Sequence, residues 1–294
     1  IFYVKMQFTE LIGKLHFDIE YARHHVKPVI LLFLPQVAIS LYVTLDRTML
    51  GALASTKDVG IYDQALKLVN ILLTLVTSLG SVMLPRVAHL LVTGDYKAVN
   101  KMHEMSFLVY NLVIFPMMAG ILIVNDDFVQ FFLGQDFQDA RYAIAIMIFR
   151  MFFIGWTNIM GIQMLIPHNQ NKEFMISTTA PAIISVGLNL LFLPKLGYIG
   201  AAIVSVLTEA LVWAIQLYFT SRYLKEVPII GSMTKIVLAS AIMYGILLGS
   251  KTVIHFSPTL NVLVFAVLGG IIYLFTILSL KVVDVKELKQ IIKK

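Results

Sequence analysis

Residues 36–81 read QVAISLYVTLDRTMLGALASTKDVGIYDQALKLVNILLTLVTSLGS, two long apolar segments joined by a short turn-like linker. Polar side chains recur along both segments at steps of three or four residues, which places each set on one side of an α-helix. They are Gln36, Ser40, Thr44 and Arg47 in the first, and Asp63, Lys67, Asn70, Thr74, Thr77 and Ser81 in the second. A polar stripe on a membrane-length apolar helix faces protein or water rather than lipid. We therefore expect the two stripes to line a central aqueous cavity.

The composition around this stretch is that of an integral membrane protein. Of the 294 residues, 59% are hydrophobic and 14% are charged, and the mean hydropathy is +0.84. Soluble domains carry about 25% charged residues. The net charge of +6 does not favour nucleic acid, because the basic residues lie between apolar segments, where membrane topology explains them. The chain has no cysteine, which excludes disulfides and cysteine-ligated metals.

Eight segments are long and apolar enough to cross a membrane, since a span needs about 20 predominantly apolar residues. They are residues 27–50, 61–84, 106–124, 141–166, 173–193, 199–221, 233–250 and 260–281. Residues 94–104 predict a separate short helix at the membrane surface. With eight spans both ends lie on one side, and sixteen of the 23 lysines and arginines fall on that side against five on the other. Because basic loops stay in the cytoplasm, both ends are predicted to be cytoplasmic.

Ionisable residues inside these spans are costly and therefore informative. Asp63 lies four residues before Lys67, which predicts a local ion pair. Arg47 and its neighbour Asp46 point in different directions on a helix and must find different partners. Glu209 lies in the middle of the sixth span, and we interpret it as a proton or cation site or, with a slight preference, as the partner of a buried Arg150 or Lys67.

The last two spans lack internal ionisable groups and carry small residues that suit close helix packing. This contrast predicts a six-helix bundle around the cavity with two peripheral helices. No phosphate-binding glycine loop with a lysine, HExxH motif or paired catalytic carboxylates occur in the sequence, so we predict a protein that is not an enzyme and needs no cofactor.

Several stretches resemble polysaccharide flippases, the oligosaccharidyl-lipid branch of the superfamily that includes the MATE exporters (the MATE/MOP superfamily). LPQVAISLYVTLDRTMLG (34–51) with VGIYDQALKL (59–68) resembles the seventh and eighth helices of that family, and PRVAHLLVTGDYKAVNK (85–101) and FVQFFLGQDFQDA (128–140) resemble its following loops. The resemblance implies an all-α, polytopic membrane protein whose eight helices correspond to the C-lobe of six helices plus the two peripheral helices of such a transporter. Residues 1–26 are then a cytoplasmic linker after a missing N-lobe, 27–225 a six-helix transport lobe, 226–283 the two additional helices and 284–294 a basic cytoplasmic tail.

The resemblance also implies an activity, the flipping of undecaprenyl-diphosphate-linked oligosaccharide across the bacterial cytoplasmic membrane for capsule, O-antigen or exopolysaccharide synthesis. We expect a pyrophosphate head group or sugar acids to be bound by three cations and sugar hydroxyls by three amides. These substrate-binding candidates are Arg47, Lys67 and Arg150, with Gln36, Asn70 and Gln216. The last two helices are expected to border a groove for the polyprenyl tail. Coupling to Na+ or H+ is left open, with Asp63 and Glu209 as candidate ion-coupling or ion-pair residues. The expected partners are the lipid-linked oligosaccharide, membrane lipids, polysaccharide polymerase and other assembly proteins, and not nucleic acid.

Other functions stay open from the sequence alone. A MATE-like antiporter of drugs or cations would favour acidic and aromatic cavity residues over basic ones. A truncated, non-transporting remnant would have a start codon immediately before Ile1. A membrane glycosyltransferase would need a larger domain outside the membrane than the longest outside loop, of about 16 residues, provides.

Overall fold

The computed structural model describes residues 19–253 and 256–282, and all the regular structure in those ranges is helical. The predicted all-α, polytopic membrane architecture is confirmed in those ranges. The α-helices, in chain order, are α1 Ile19–Leu53, α2 Thr56–Val92, α3 Tyr96–Leu133, α4 Ala140–Met147, α5 Arg150–Thr157, α6 Asn171–Leu224, α7 Ile230–Lys251 and α8 Pro258–Ser279. A 3-10 turn at Gln135–Phe137 precedes α4, and a π-helix at Asn158–Leu165 follows α5.

Local sequence explains where the early helices begin and end. Ser55 caps α2, its hydroxyl accepting a hydrogen bond from the backbone N–H of Asp58 at 3.1 Å. Asp95 caps α3 in the same way through Ala98 at 3.0 Å. Gly94 between α2 and α3 has φ +76°, a conformation that glycine adopts without strain. The turn therefore ends one helix and positions the cap of the next.

Within the described residues, six helical segments are long and apolar enough to cross a membrane, and α6 contains two of the eight predicted spans. The backbone of α6 is non-helical at Gly197, with φ +51° and ψ −131°. Asn189 before this residue contacts Asp46 of α1, and Glu209 after it contacts Tyr42, one turn away on the same helix. Residues 20 positions apart could not both reach one turn of α1 from a straight helix, since α-helices rise about 1.5 Å per residue. The chain therefore reverses direction at Gly197, and both halves of α6 pack on α1.

The predicted 61–84 span lies inside α2, a 37-residue helix that is not among the six. The predicted eight segments are thus all helical where the structure describes them, although their boundaries differ. Helix α1 is already helical at Ile19, the first described residue, which lies before the predicted start at residue 27. The predicted surface helix at 94–104 is wrong as a separate element, because α3 runs without a break from Tyr96 to Leu133. The predicted basic tail, and residues 1–18 of the predicted linker, lie outside the described residues.

Helices α7 and α8 pack against each other and against α3. Pro116 in the middle of α3 has no N–H, so the carbonyl of Leu112 loses its partner four residues on. The hydroxyl of Tyr273 on α8 donates to that carbonyl at 2.9 Å. At the other end Lys251 donates to the carbonyl of Ile123 at 2.6 Å. The hairpin of α7 and α8 is therefore attached to α3 by a polar contact at each end. The predicted domain boundaries stay a prediction.

Candidate functional site

An exposed ion cluster joins α1 to α2. The Nη2 atom of Arg47 lies 3.1 Å from Oδ1 of Asp63, and the ammonium of Lys67 lies 2.8 Å from Oδ2 of the same carboxylate. The side chains of Arg47 and Lys67 are 41% and 58% exposed, and that of Asp63 is 24% exposed. Two cations thus share one anion, which leaves a net positive charge at this place on the polar face of the two helices. We define these three residues as the cationic cluster.

The rest of the two polar stripes lies on the same open side of the bundle. Gln36 and Asn70, the two amides expected to contact sugar, are both exposed, as are Ser40, Thr44 and Thr74. The hydroxyl of Thr44 donates to the carbonyl of Ser40, and that of Thr74 to the carbonyl of Asn70, each at 2.8 Å. These local bonds satisfy the hydroxyls within each helix. The side chains of Gln36 and Asn70 are exposed on the same stripes. The side chain of Ser81 lies outside the described residues.

A second charged group is buried between α1, α5 and α6. Nη2 of Arg150 lies 3.2 Å from Oε1 of Glu209, and the hydroxyl of Tyr42 donates to the same oxygen at 2.8 Å. The side chains of Arg150 and Glu209 are 5% and 7% exposed. Glu209 is thus the partner of Arg150. Nε and Nη1 of Arg150 have no hydrogen-bond partner, so its guanidinium is only partly satisfied.

The sequence interpretation did not single out Asp46, which completes this buried group. Its Oδ1 accepts from the amide of Asn189 at 2.5 Å, and its Oδ2 accepts from the hydroxyl of Tyr62 at 3.4 Å. Asp46 also interacts electrostatically with Arg150 and Glu209. Two carboxylates and one guanidinium therefore lie together away from solvent. A sequence signal existed, because Tyr42 and Asp46 are four residues apart and share a helix face that differs from that of Arg47.

Gln216 and Arg150 do not lie on the open face with the cationic cluster. Gln216 is 1% exposed, and its amide donates to the hydroxyl of Ser177 at 3.2 Å within α6. A side chain at Gly161 in the π-helix would meet this amide at 3.0 Å and the ring of Phe174 at 2.7 Å. The structure therefore separates the eight predicted residues into an exposed set (Gln36, Arg47, Asp63, Lys67 and Asn70) and a buried set (Arg150, Glu209 and Gln216).

An apolar groove of about 530 Å³ lies between α3, α7 and α8. The floor includes Pro116 and Gly120 of α3, and the walls include Phe265, Gly269 and Gly270 of α8. The small residues keep the helices from filling this space with side chains. Of the residues that the structure describes, none forms a group of three or more histidine, cysteine or acidic side chains that could hold a metal ion.

Comparisons with known proteins find relatives that include a flippase and a transporter. Residues 1–142 match the family described as "Polysaccharide biosynthesis protein". The chain is 22% identical over 79% of its length to a probable low-salt glycan biosynthesis flippase of Haloferax volcanii, and 27% identical over 71% to a putative O-antigen transporter of Escherichia coli. It is also 26% identical over 84% to an uncharacterized membrane protein of Methanocaldococcus jannaschii. The chain spans about half the length of these curated relatives, between 47% and 50%.

A solved structure gives the same result for the fold. The chain matches 55% of the lipid II flippase MurJ in its inward closed conformation, with a TM-score of 0.73 over 90% of this chain and 18% sequence identity. At that identity the match establishes the fold alone. The family match and the named relatives confirm the predicted resemblance of this multi-pass membrane protein to polysaccharide flippases.

Proposed function

We propose that this chain takes part in flipping an undecaprenyl-diphosphate-linked oligosaccharide across the bacterial cytoplasmic membrane by alternating access. The observation that carries the proposal is the cationic cluster, in which Arg47 and Lys67 are exposed on the polar face of two membrane-length helices. Exposed cations within a membrane segment are stable only where protein or water meets them. A water-filled cavity that binds an anionic substrate would surround these cations with both protein and water.

The chemistry of the cluster suits a diphosphate head group. A guanidinium and an ammonium are the side chains that bind phosphate oxygens through charge-assisted hydrogen bonds. The attraction is stronger where the surrounding dielectric is low. Gln36 and Asn70 lie on the same stripes and are exposed, so they suit the hydroxyls of a neighbouring sugar. A direct substrate contact by Arg150 or Gln216 would require a conformation in which α5 separates from α6.

The apolar groove between α3, α7 and α8 has the chemistry for the polyprenyl tail. It is lined by hydrocarbon side chains and small residues, and its volume of about 530 Å³ suits part of a branched hydrocarbon chain. We propose that the tail occupies this groove, in contact with membrane lipids, while the head group crosses along the polar stripes. Polysaccharide polymerase and other assembly proteins are the partners that such a substrate implies.

No nucleotide is needed to drive this movement if the membrane potential acts on the head group. A negative interior favours outward transfer of an anion by about 2.3 kcal/mol per charge for each 100 mV. Coupling to H+ or Na+ would add to this, and we propose Glu209 of the buried group and Asp63 of the cationic cluster as the carboxylates concerned. The orientation with both ends in the cytoplasm, inferred from the loop charges, sets the direction.

The test uses the full-length protein in a strain that depends on it for surface polysaccharide. We expect Arg47→Ala and Lys67→Ala each to lower surface polysaccharide strongly at unchanged protein level. Lys57→Ala is the matched control, because Lys57 is an exposed lysine of α2 that pairs with Asp139 at 3.6 Å and is not part of the polar stripe. Normal polysaccharide in both cluster variants would refute the head-group role.

A further inference from the structure

The cationic cluster contains its own anion, and the contact between Arg47 and that anion is incomplete. Although Nη2 of Arg47 and Oδ1 of Asp63 are 3.1 Å apart, Nε of Arg47 and Oδ1 of Asp63 are both buried without a hydrogen-bond partner. The contact is therefore an ion pair without hydrogen-bond geometry. Lys67 makes the closer contact, at 2.8 Å, from the next turn of the same helix as Asp63.

Without Asp63, two positive side chains would lie close together on the open face, where like charges repel. The carboxylate removes this repulsion when no ligand is present. It lies deeper than the cations, with a side chain that is 24% exposed against 41% for Arg47 and 58% for Lys67. An anion that approaches from the open side meets the cations first and the carboxylate behind them.

The same carboxylate opposes a bound anion. A diphosphate that bridges Arg47 and Lys67 comes close to Asp63 and competes with it for the same two cations. A transport site must bind its substrate firmly enough to admit it and weakly enough to release it, as in channels. A fixed negative charge beside the two cations lowers the affinity without removing the cations.

Building on the proposed function, we propose that Asp63 is an internal competitor for the anionic head group, which holds Arg47 and Lys67 together in the empty site and speeds release from the occupied one. The Arg47 contact, the longer of the two, is the part that a ligand displaces. The local Lys67 pair keeps Asp63 in place during the exchange, because the two residues lie on adjacent turns of one helix.

The test measures binding of farnesyl diphosphate, a short-chain prenyl diphosphate, to the purified full-length protein, with uncharged farnesol as the ligand control. We expect Asp63→Asn to bind the diphosphate about threefold to tenfold more tightly than the wild type, with no change for farnesol. The same variant should restore surface polysaccharide poorly, because release is slowed. Asp63→Glu keeps the charge and should bind within about twofold of the wild type.

Asp126→Asn is the matched control, since it removes a carboxylate from the exposed pair with Arg141, 3.3 Å apart, outside the polar stripes. Arg47→Ala and Lys67→Ala, measured beside it, separate the possible failures. If both weaken diphosphate binding while Asp63→Asn leaves it unchanged or weaker, the role of Asp63 is refuted and the head-group site stands. If none of the cluster variants changes diphosphate binding, the head-group site is refuted and the role of Asp63 with it. Should Asp63→Asn not fold, Asp63→Ser carries the same expectation.

Discussion

Two groups of charges on α1 and its neighbours use the same residue types in opposite ways. In the buried group, Arg150 and Glu209 have side chains 5% and 7% exposed and are joined across 59 residues of sequence. In the cationic cluster, Lys67 and Asp63 are four residues apart and Lys67 is 58% exposed. The first group ties α5 to α6 inside the bundle. The second presents charge on the open face.

The difference separates stability from binding. A buried ion pair is costly to form from solvated ions, but removing one partner is costlier still, because the other charge is then left without compensation. An exposed pair contributes little to stability, and its ions stay accessible to a ligand. We therefore expect substitutions in the buried group to act on folding and substitutions in the cationic cluster to act on transport.

The largest expected effect comes from Glu209→Gln. It leaves Arg150 charged and buried with only Asp46 nearby, and we expect a loss of about 3–5 kcal/mol of stability. Thermal unfolding of the purified protein should show a lower midpoint. The amount of protein that can be purified should also be lower. Asp126→Asn, in an exposed pair, should change the midpoint little.

The double variant Arg150→Met with Glu209→Leu sharpens this test, because it removes both charges together. Replacing a buried ion pair by apolar side chains of similar size is often neutral or stabilising. If it restores stability but not surface polysaccharide, the pair of Arg150 and Glu209 has a role in transport as well as in folding. If Glu209→Gln unfolds like the wild type, the buried pair is not a structural element and the contrast with the cationic cluster fails.

A smaller effect is expected in the peripheral hairpin, where a buried polar contact involves no charged side chain. Tyr273→Phe removes the donor to the carbonyl of Leu112 that Pro116 leaves without a helical partner. We expect a loss of about 0.6–2 kcal/mol in thermal unfolding. In a Pro116→Ala background the helix can supply its own N–H, so Tyr273→Phe should cost less there. Equal losses in both backgrounds would contradict the link between the two residues.

The smallest effect on stability is expected for Lys67→Ala in the cationic cluster. Exposed ion pairs within one helix contribute about 0.3–0.5 kcal/mol, so the unfolding midpoint should stay close to that of the wild type. The same protein should nevertheless lose transport in the polysaccharide assay. A large drop in the midpoint would place Lys67 with the buried group and remove the distinction.

The sequence was sufficient for features that depend on local spacing. The polar stripes and the pair of Asp63 and Lys67 follow from helical periodicity over a few turns, and the structure contains both. The Pro194–Gly197 region also separates two predicted spans, and the chain reverses there. These features need no knowledge of how helices pack, because three- and four-residue spacing alone brings the side chains together.

Features that depend on packing were only partly accessible. The position of Glu209 in a span predicts either a proton or cation site or a partner for Arg150 or Lys67, and only the packing of α5 on α6 identifies Arg150 as the partner. Sequence spacing shows Asp46 only as the neighbour of Arg47, whereas in the fold Tyr42, Tyr62 and Asn189 surround it. The π-helix at Asn158–Leu165 left no pattern in the sequence, since one extra residue per turn does not alter composition.

The reversal at Gly197 bears on how this protein can be cut, tagged and mapped. The turn is a single residue with φ +51°, and a Cβ there would lie 2.7 Å from Oδ1 of Asp58. That same oxygen accepts from the backbone N–H of Tyr198 at 3.2 Å, which ties the turn to the start of α2. An epitope or a reporter enzyme inserted between the two halves of α6 would break the hydrogen bond between Tyr198 and Asp58. It would therefore disturb the turn whose side of the membrane it is meant to report. Insertions in the turn between α2 and α3, where a Cβ on Gly94 would meet no atom within 4 Å, offer a safer place to read the orientation of the chain.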